Sequence, residues 1–186
     1  HKMRQRYSIF FYTILFLSFG LISCQKEVED SRSLPALTNQ GIYTLGCKVN
    51  GEIWIANSGY QEPYPIYTYY FPETGQLMIN ATMGSEENKI IEQMYLMSED
   101  SIVGVGTYAF TKVNENGLRK VGLNNVYSEK SCPNYYHDSA YKSVLNITYL
   151  DSNKRIVSGT FELDLINAEC DIPIVKITEG RFDVRY

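Results

Sequence analysis

Histidine is almost missing from this chain: His1 and His137 are the only two. A zinc site needs three or four convergent ligands of the His/Cys type, and a Ser-His-Asp triad needs its histidine beside an activated serine. No Gly-x-Ser-x-Gly elbow is present to supply that serine. An excess of basic charge is missing as well, with 17 Lys and Arg against 21 Asp and Glu. A net charge of −4 gives no attraction to phosphate backbones, so nucleic acid is not an expected partner. Gly104-Val105-Gly106 lacks the third glycine and the helix that would cradle a phosphate. Asp151-Ser152-Asn153 offers three side-chain ligands, fewer than the roughly 6–8 that calcium takes. No metal or cofactor is expected. The longest apolar run, residues 9–22, is fourteen residues, short of the roughly 20 that a bilayer-spanning helix needs.

That short run is the most informative stretch of the chain. Lys2, Arg4 and Arg6 precede it, and Leu21-Ile22-Ser23-Cys24 closes it. Basic residues, an apolar segment, a small residue and a cysteine form the order of a bacterial lipoprotein signal. Leu21, Ile22 and Ser23 resemble the lipobox. The resemblance implies lipidation of the Cys24 thiol, cleavage before it and anchoring through several acyl chains, each buried CH₂ contributing about 0.8 kcal/mol. Cys24-Gln25-Lys26-Glu27-Val28-Glu29-Asp30 also resembles the surface-export signal of Bacteroidota lipoproteins, with Val28 where an acid is usual. Display on the outer membrane surface is therefore expected ahead of a periplasm-facing anchor. Losing the three basic residues of the leader takes the net charge to about −7.

The expected organisation is a signal peptide over 1–23, a lipidated tether over 24–41 and one β domain over 42–186. The tether is charged first and then rich in Ser, Pro, Thr and Asn without periodicity. From residue 42 the period is two. Alternation over 42–49 meets Asn50-Gly51, the strongest short hairpin signal because both positions need positive φ. Further strands are expected at 52–57, 66–71, 76–83, 90–97, 106–111, 118–128, 141–150, 155–165 and 174–186. Pro72-Glu73-Thr74-Gly75 and Asp151-Ser152-Asn153-Lys154 supply turns, and 129–139 is polar and irregular. A short helix competes at 86–94, weakened by the β-branched pair Ile90-Ile91. In the last strand Val175 and Ile177 are odd while Phe182 and Val184 are even, which requires an inserted residue. Glu179-Gly180 is the expected bulge, with glycine taking the left-handed conformation. Arg181 and Asp183 then share the opposite face, where they can pair. The fold class is all-β: a single antiparallel sandwich or up-and-down barrel of about ten strands.

Several residue groups bear on chemistry. Cys47 alternates with Tyr43, Leu45 and Val49 and reads as a core residue. Cys132 and Cys170 lie in turn-rich surroundings of an exported chain and form the favoured disulfide. His137, beside Tyr135 and Tyr136, reads as a loop residue. Glu162 and Asp164 share a strand face, and two carboxyls about 5–9.5 Å apart across a cleft are what a glycosidase uses. Acids alternating opposite an apolar face are equally the pattern of a solvated surface. Aromatic crowding is the best binding signal: Tyr60, Tyr64, Tyr67, Tyr69, Tyr70 and Phe71 cluster among prolines. Tyr64, Tyr67, Tyr69 and Tyr70 are candidate ligand contacts, since an exposed row could stack on sugar rings while offering hydroxyls. Tyrosine also fills strand cores.

Three stretches together resemble a family of Bacteroidota lipoproteins of unknown function. They are Leu45-Gly46-Cys47-Lys48-Val49-Asn50-Gly51, Val157-Ser158-Gly159-Thr160-Phe161-Glu162-Leu163, and Ile177-Thr178-Glu179-Gly180-Arg181-Phe182-Asp183-Val184. The family carries Phe-Gly-Cys-Leu-Val-Asn-Gly, Ile-Ser-Gly-Thr-Phe-Glu-Phe and Gly-Arg-Phe-Asp. Leu45, Lys48 and Leu163 depart from the pattern. The resemblance implies an exported β domain and brings no activity or catalytic residue with it. Asp100-Ser101-Ile102 and Asp138-Ser139-Ala140 resemble the Bacteroidota O-glycosylation motif, which makes Ser101 and Ser139 candidate modification sites. The expectation is a lipid-anchored, non-catalytic binding module for a glycan or an envelope protein. The alternatives are a structural part of an envelope complex and a glycosidase using Glu162 and Asp164.

Overall fold

The computed structural model describes residues 33–57, 64–85, 90–98, 101–108, 110, 117–122 and 134–186. Among them are eleven strands: β1 (Thr44–Val49), β2 (Glu52–Ile55), β3 (Ile66–Phe71), β4 (Gln76–Ser85), β5 (Ile90–Ser98), β6 (Gly106–Tyr108), β7 (Gly117–Gly122), β8 (Asn134–His137), β9 (Ser143–Asp151), β10 (Ile156–Ile166) and β11 (Ile174–Arg185). The all-β expectation holds. The β-branched Ile90-Ile91 pair enters a strand and not a helix. One expectation is corrected: the polar stretch 129–139 contains β8.

All pairings are antiparallel, in the order β2-β1-β11-β10-β8-β7-β5-β4-β3. β11 lies between β1 and β10, so the order is not a plain up-and-down meander. β10 pairs with β9 over Ile156 to Leu163 and with β8 at Leu165 and Ile166. There the sheet divides, β8 leading to β7 and β9 to β6. Past β2 the chain returns to β4: the Asn57 N–H donates to Thr82 O at 2.9 Å, and the Thr82 N–H donates to Pro65 O at 2.7 Å. The inward faces close over one core that includes Leu45, Trp54, Ile79, Met94, Ile147, Phe161 and Val184. Their burial supplies the main driving force of the fold.

Local signals explain the turns. Asn50 (φ 51°) and Gly51 (φ 93°) both take positive φ, and Val49 faces Glu52 across the two-residue loop. Asp151 Oδ1 accepts the N–H groups of Asn153 (3.0 Å) and Lys154 (2.9 Å), closing the β9–β10 connection. The β11 bulge lies where the parity change requires it. Register slips there against both neighbours, and Val175, Ile177, Phe182 and Val184 are all buried. The residue in the left-handed region is Glu179, at φ 52°, and not Gly180. Gly180 is needed for space instead, because a Cβ there would lie 2.5 Å from Phe161 O.

Two observations concern the amino-terminal side. Ser33–Tyr186 group as one compact unit. Residues 35–41 lie against the outward face of β11, with the Pro35 ring so close to Gly46 that a Cβ there would sit 2.6 Å from Pro35 Cδ. Asp183 does not pair with Arg181. It is buried, and its carboxylate accepts the Thr38 hydroxyl, the N–H groups of Gln40 (2.9 Å) and Gly41 (2.8 Å), and the Ser158 hydroxyl (2.7 Å). Four local donors outcompete a single neighbouring guanidinium. Burial pushes the Asp183 carboxyl up, and these four hydrogen bonds more than offset it, so its pKa is lowered.

Candidate functional site

The period-two register of β3 sends Ile66 and Tyr70 inward and Tyr67, Tyr69 and Phe71 outward. Tyr67, Tyr69 and Phe71 are 40%, 53% and 46% exposed, and Tyr64, just upstream, is 66% exposed. Tyr64 and Tyr67 meet edge to face, with ring centroids 6.5 Å apart. β3 ends the strand order, and its one strand partner among the described residues is β4. The aromatic row is therefore the border of the sheet.

Cross-strand register extends this face. Tyr69 lies opposite Met78, which lies opposite Met97; Tyr67 lies opposite Asn80, which lies opposite Tyr95. The Tyr95 hydroxyl donates to Gln93 Oε1 at 2.7 Å. Asn80 Oδ1 is enclosed and has no hydrogen-bond partner. Tyr67, Tyr69, Phe71, Gln76, Met78 and Asn80, the outward positions of β3 and the facing part of β4, carry aromatic, thioether and amide groups and no charge; farther along the sheet the register sets Arg119 of β7 opposite Gln93 of β5. Such a face suits a neutral ligand with apolar surface and hydroxyls.

Tyr70 is not part of it, which corrects the sequence expectation. Its side chain is buried; its hydroxyl donates to Ile102 O at 2.6 Å, and its ring meets Tyr186 edge to face at 4.9 Å. Burial, then the neighbouring Tyr186 and Tyr108, push its phenol pKa up. Alternation in the sequence already sets Tyr67, Tyr69 and Phe71 on one face and Tyr70 on the other, and the burial pattern of β3 agrees.

His137 is also corrected. It is a buried residue of β8 beside Leu165, not a loop residue. Burial lowers its pKa against the opposing pull of the Phe110 and Asp164 backbone groups and the Asp138 charge, so the ring is neutral at pH 7. Its Nδ1 is enclosed and has no hydrogen-bond partner among the described residues.

Glu162 forms an exposed ion pair with Lys142. It lines a shallow groove of about 380 Å³ with Lys142, Asn146, Thr160, Glu179 and Arg181. Asp164, its partner in the glycosidase alternative, is not among the groove residues. Across the groove, Lys48 pairs with Glu179 at 2.5 Å. Among the described residues, no three His, Cys, Asp or Glu side chains converge as a metal site would require, and no helix is long and apolar enough to cross a membrane.

Cys170 is disulfide-bonded and Cys47 is a free, buried thiol. Cys132 and Cys24 lie outside the described residues. β8 begins two residues after Cys132, and its Asn134 O accepts Asn167 Nδ2 at 2.8 Å, which brings the start of β8 to the Cys170 loop. Ser139 is exposed at the tip of a turn in which Asp138 accepts the Ala140 N–H at 2.8 Å. Ser101 is exposed too, but its neighbour Ile102 is fully buried and donates its N–H to Gly75 O at 3.0 Å. Ser139 has the more open surroundings for a bulky group.

Residues that sequence reasoning missed are Glu92 and Ser158. Glu92 accepts the indole N–H of buried Trp54 at 3.0 Å, and Ser158 is the inner donor to Asp183. An acid between the apolar Phe182 and Val184 is the one signal that could have pointed to the second. No family profile, curated protein or solved structure matches the chain.

Proposed function

We propose that this chain is a lipid-anchored, non-catalytic binding domain of the bacterial outer surface, with the outward face of β3 and β4 as its ligand contact. The exposed row Tyr67, Tyr69 and Phe71 at the sheet border carries this reading. Three aromatic side chains held in water at a sheet border cost solvation that a monomeric core does not require, and such patches mark interaction surfaces. Lack of charge at the outward positions of β3 and β4 favours a neutral glycan over a charged polymer or an acidic peptide. Enclosed Asn80 Oδ1, opposite Tyr67 in the register, is an acceptor left without a partner on this face.

The anchor rests on the lipobox-like Leu21-Ile22-Ser23-Cys24, and surface display on the Gln25-Lys26 and acidic run that follows. Resemblance of the three motifs to Bacteroidota lipoproteins agrees with both. Glycan arrays and affinity gels test the binding. Wild type is expected to be retained by a neutral polysaccharide, and the Tyr67→Ala/Tyr69→Ala double variant to lose that retention while melting at the same temperature. Equal behaviour of the two proteins on every glycan would overturn the assignment. Incorporation of labelled palmitate, abolished by Cys24→Ser, tests the anchor.

A further inference from the structure

β11 presents three side chains at alternate positions on its outward face, and all three hold one segment. Arg181 Nη1 donates to Pro35 O at 3.4 Å. Asp183 accepts Thr38, Gln40 and Gly41 as described above. Arg185 donates from Nε to Gly41 O and from Nη2 to Gln40 O, both at 3.2 Å. The segment thus runs from Pro35 to Gly41 alongside Arg181 to Arg185. Gly41 takes φ +67°, and a Cβ there would meet Arg185 Cγ at 2.7 Å, so the arginine stem closes directly over its backbone.

This grip is polar. No residue of 33–41 belongs to the hydrophobic core, and Leu37 is 64% exposed. Segments with few buried apolar contacts open locally at a lower free energy than the core they lie on. Half of the hydrogen bonds from β11 to the segment converge on one carboxylate, that of Asp183, and the rest come from Arg181 and Arg185. The next residues, Ile42 and Tyr43, are exposed, and Tyr43 sits at φ 57° before β1 begins. They form a natural pivot.

We propose that residues 35–41 are a clasp that sets how far the domain stands from its anchor. The proposal rests on the anchored reading above for its purpose, though not for its mechanics. Clasped, residues 35–41 are held against β1 and β11. Released, these seven residues at about 3.3–3.6 Å each add roughly 25 Å of free leash ahead of β1. The terminal Arg181-Phe182-Asp183 run then has a physical role: Phe182 enters the core while its two neighbours hold the clasp.

The test uses the full chain with Asp183→Asn and, as a milder variant that keeps the carboxylate, Thr38→Val. Amide hydrogen exchange at Gln40 and Gly41 is expected to rise about tenfold or more in Asp183→Asn, and less in Thr38→Val. Amides of Val157, Phe161 and Phe182 are expected to lose no more protection than the fall in global stability, read from the urea midpoint, requires. Spin labels at Leu37→Cys and Tyr141→Cys, both exposed positions, are expected to give one narrow distance in the parent and a broad distribution with Asp183→Asn. Unchanged exchange at Gln40 and Gly41 in both variants would overturn the clasp. So would core amides that lose as much protection as Gln40 and Gly41 do. Failure of palmitate incorporation would remove the anchor and leave these exchange data standing, which separates the two claims.

Discussion

Gly180 and Phe161 are packed so closely across β10 and β11 that a Cβ on Gly180 would lie 2.5 Å from the Phe161 carbonyl oxygen and 2.6 Å from its ring. The obstacle is backbone and a fully buried ring, neither of which can swing away. Gly180→Ala is therefore expected to cost about 1–3 kcal/mol, the range for overpacking, seen as a lower urea midpoint with an unchanged slope. Glu179→Gly makes the complementary test. It relieves a left-handed non-glycine residue, a gain of about 1–2 kcal/mol, and gives up the exposed pair with Lys48, worth about 0–1 kcal/mol. A variant at least as stable as the parent is the expected result.

Asp183 makes stability depend on acid pH. Its four hydrogen bonds hold the carboxyl below its ordinary value of about 3.9 despite burial. The unfolded chain therefore binds the proton more tightly than the folded one. The stability this group contributes is present above about pH 4 and is lost as pH falls through the depressed folded value. The charged groups nearest it on its own strand face are Arg181 and Arg185. Residues 38–41 and β10 supply hydroxyl and amide donors. Urea midpoints of wild type and Asp183→Asn, measured from pH 7 to pH 3, are expected to converge as pH drops. Parallel curves would mean that the carboxylate charge is not what the clasp recognises.

Tyr70 and Tyr69 are neighbours in sequence with opposite expected phenotypes. Removing the Tyr70 hydroxyl leaves Ile102 O without its 2.6 Å donor in a closed environment, so Tyr70→Phe is expected to lose about 1–3 kcal/mol. Tyr69→Ala removes an outward ring and is expected to change stability by less than about 0.5 kcal/mol, as surface substitutions do. Thermal melts of the two variants check the inside-outside division of β3 independently of any ligand.

Features of the fold that arise from neighbours in sequence were legible. Strand alternation, the positive-φ pair Asn50-Gly51 and the parity change in β11 each follow from a few adjacent residues. The candidate face was legible in part: Tyr67, Tyr69 and Phe71 were placed on one side, while Tyr70 was kept among the ligand contacts by its neighbours' chemistry. Features that depend on distant partners were not legible. Asp183 meets Thr38 across 145 residues of sequence, and no local pattern in residues 33–41 announces a segment that binds through its backbone. β8 is four residues long inside a polar stretch, too short for alternation to rise above its surroundings. Glu179 in place of Gly180 as the left-handed residue shows a third limit. Glycine there serves close approach, and sequence cannot tell that use from conformational freedom.

Thiol chemistry offers a test of both the anchor and the disulfide in one titration. Cys47 is fully buried in β1, and burial, reinforced by the Glu92 charge, pushes its pKa up to about 12. Thiolate is the reactive species, so at pH 8 this residue is expected to resist alkylation in the folded protein. Cys170 is already oxidised. If Cys24 carries lipid and Cys132 is the partner of Cys170, the native-host protein has no reactive thiol when folded. It then shows one after denaturation, from Cys47, and three after denaturation with reduction. A chain with an unmodified Cys24 would show a second thiol before reduction. Pairing of Cys170 with Cys24 instead would leave Cys132 free and give the same counts, two thiols before reduction and four after. Counting thiols with a chromogenic disulfide therefore separates the lipidated, Cys132-bridged chain from these other two arrangements, and Cys132→Ser separates those: it is expected to expose the Cys170 thiol without reductant where Cys132 is the partner, and to leave Cys47 as the single thiol before reduction where Cys24 is.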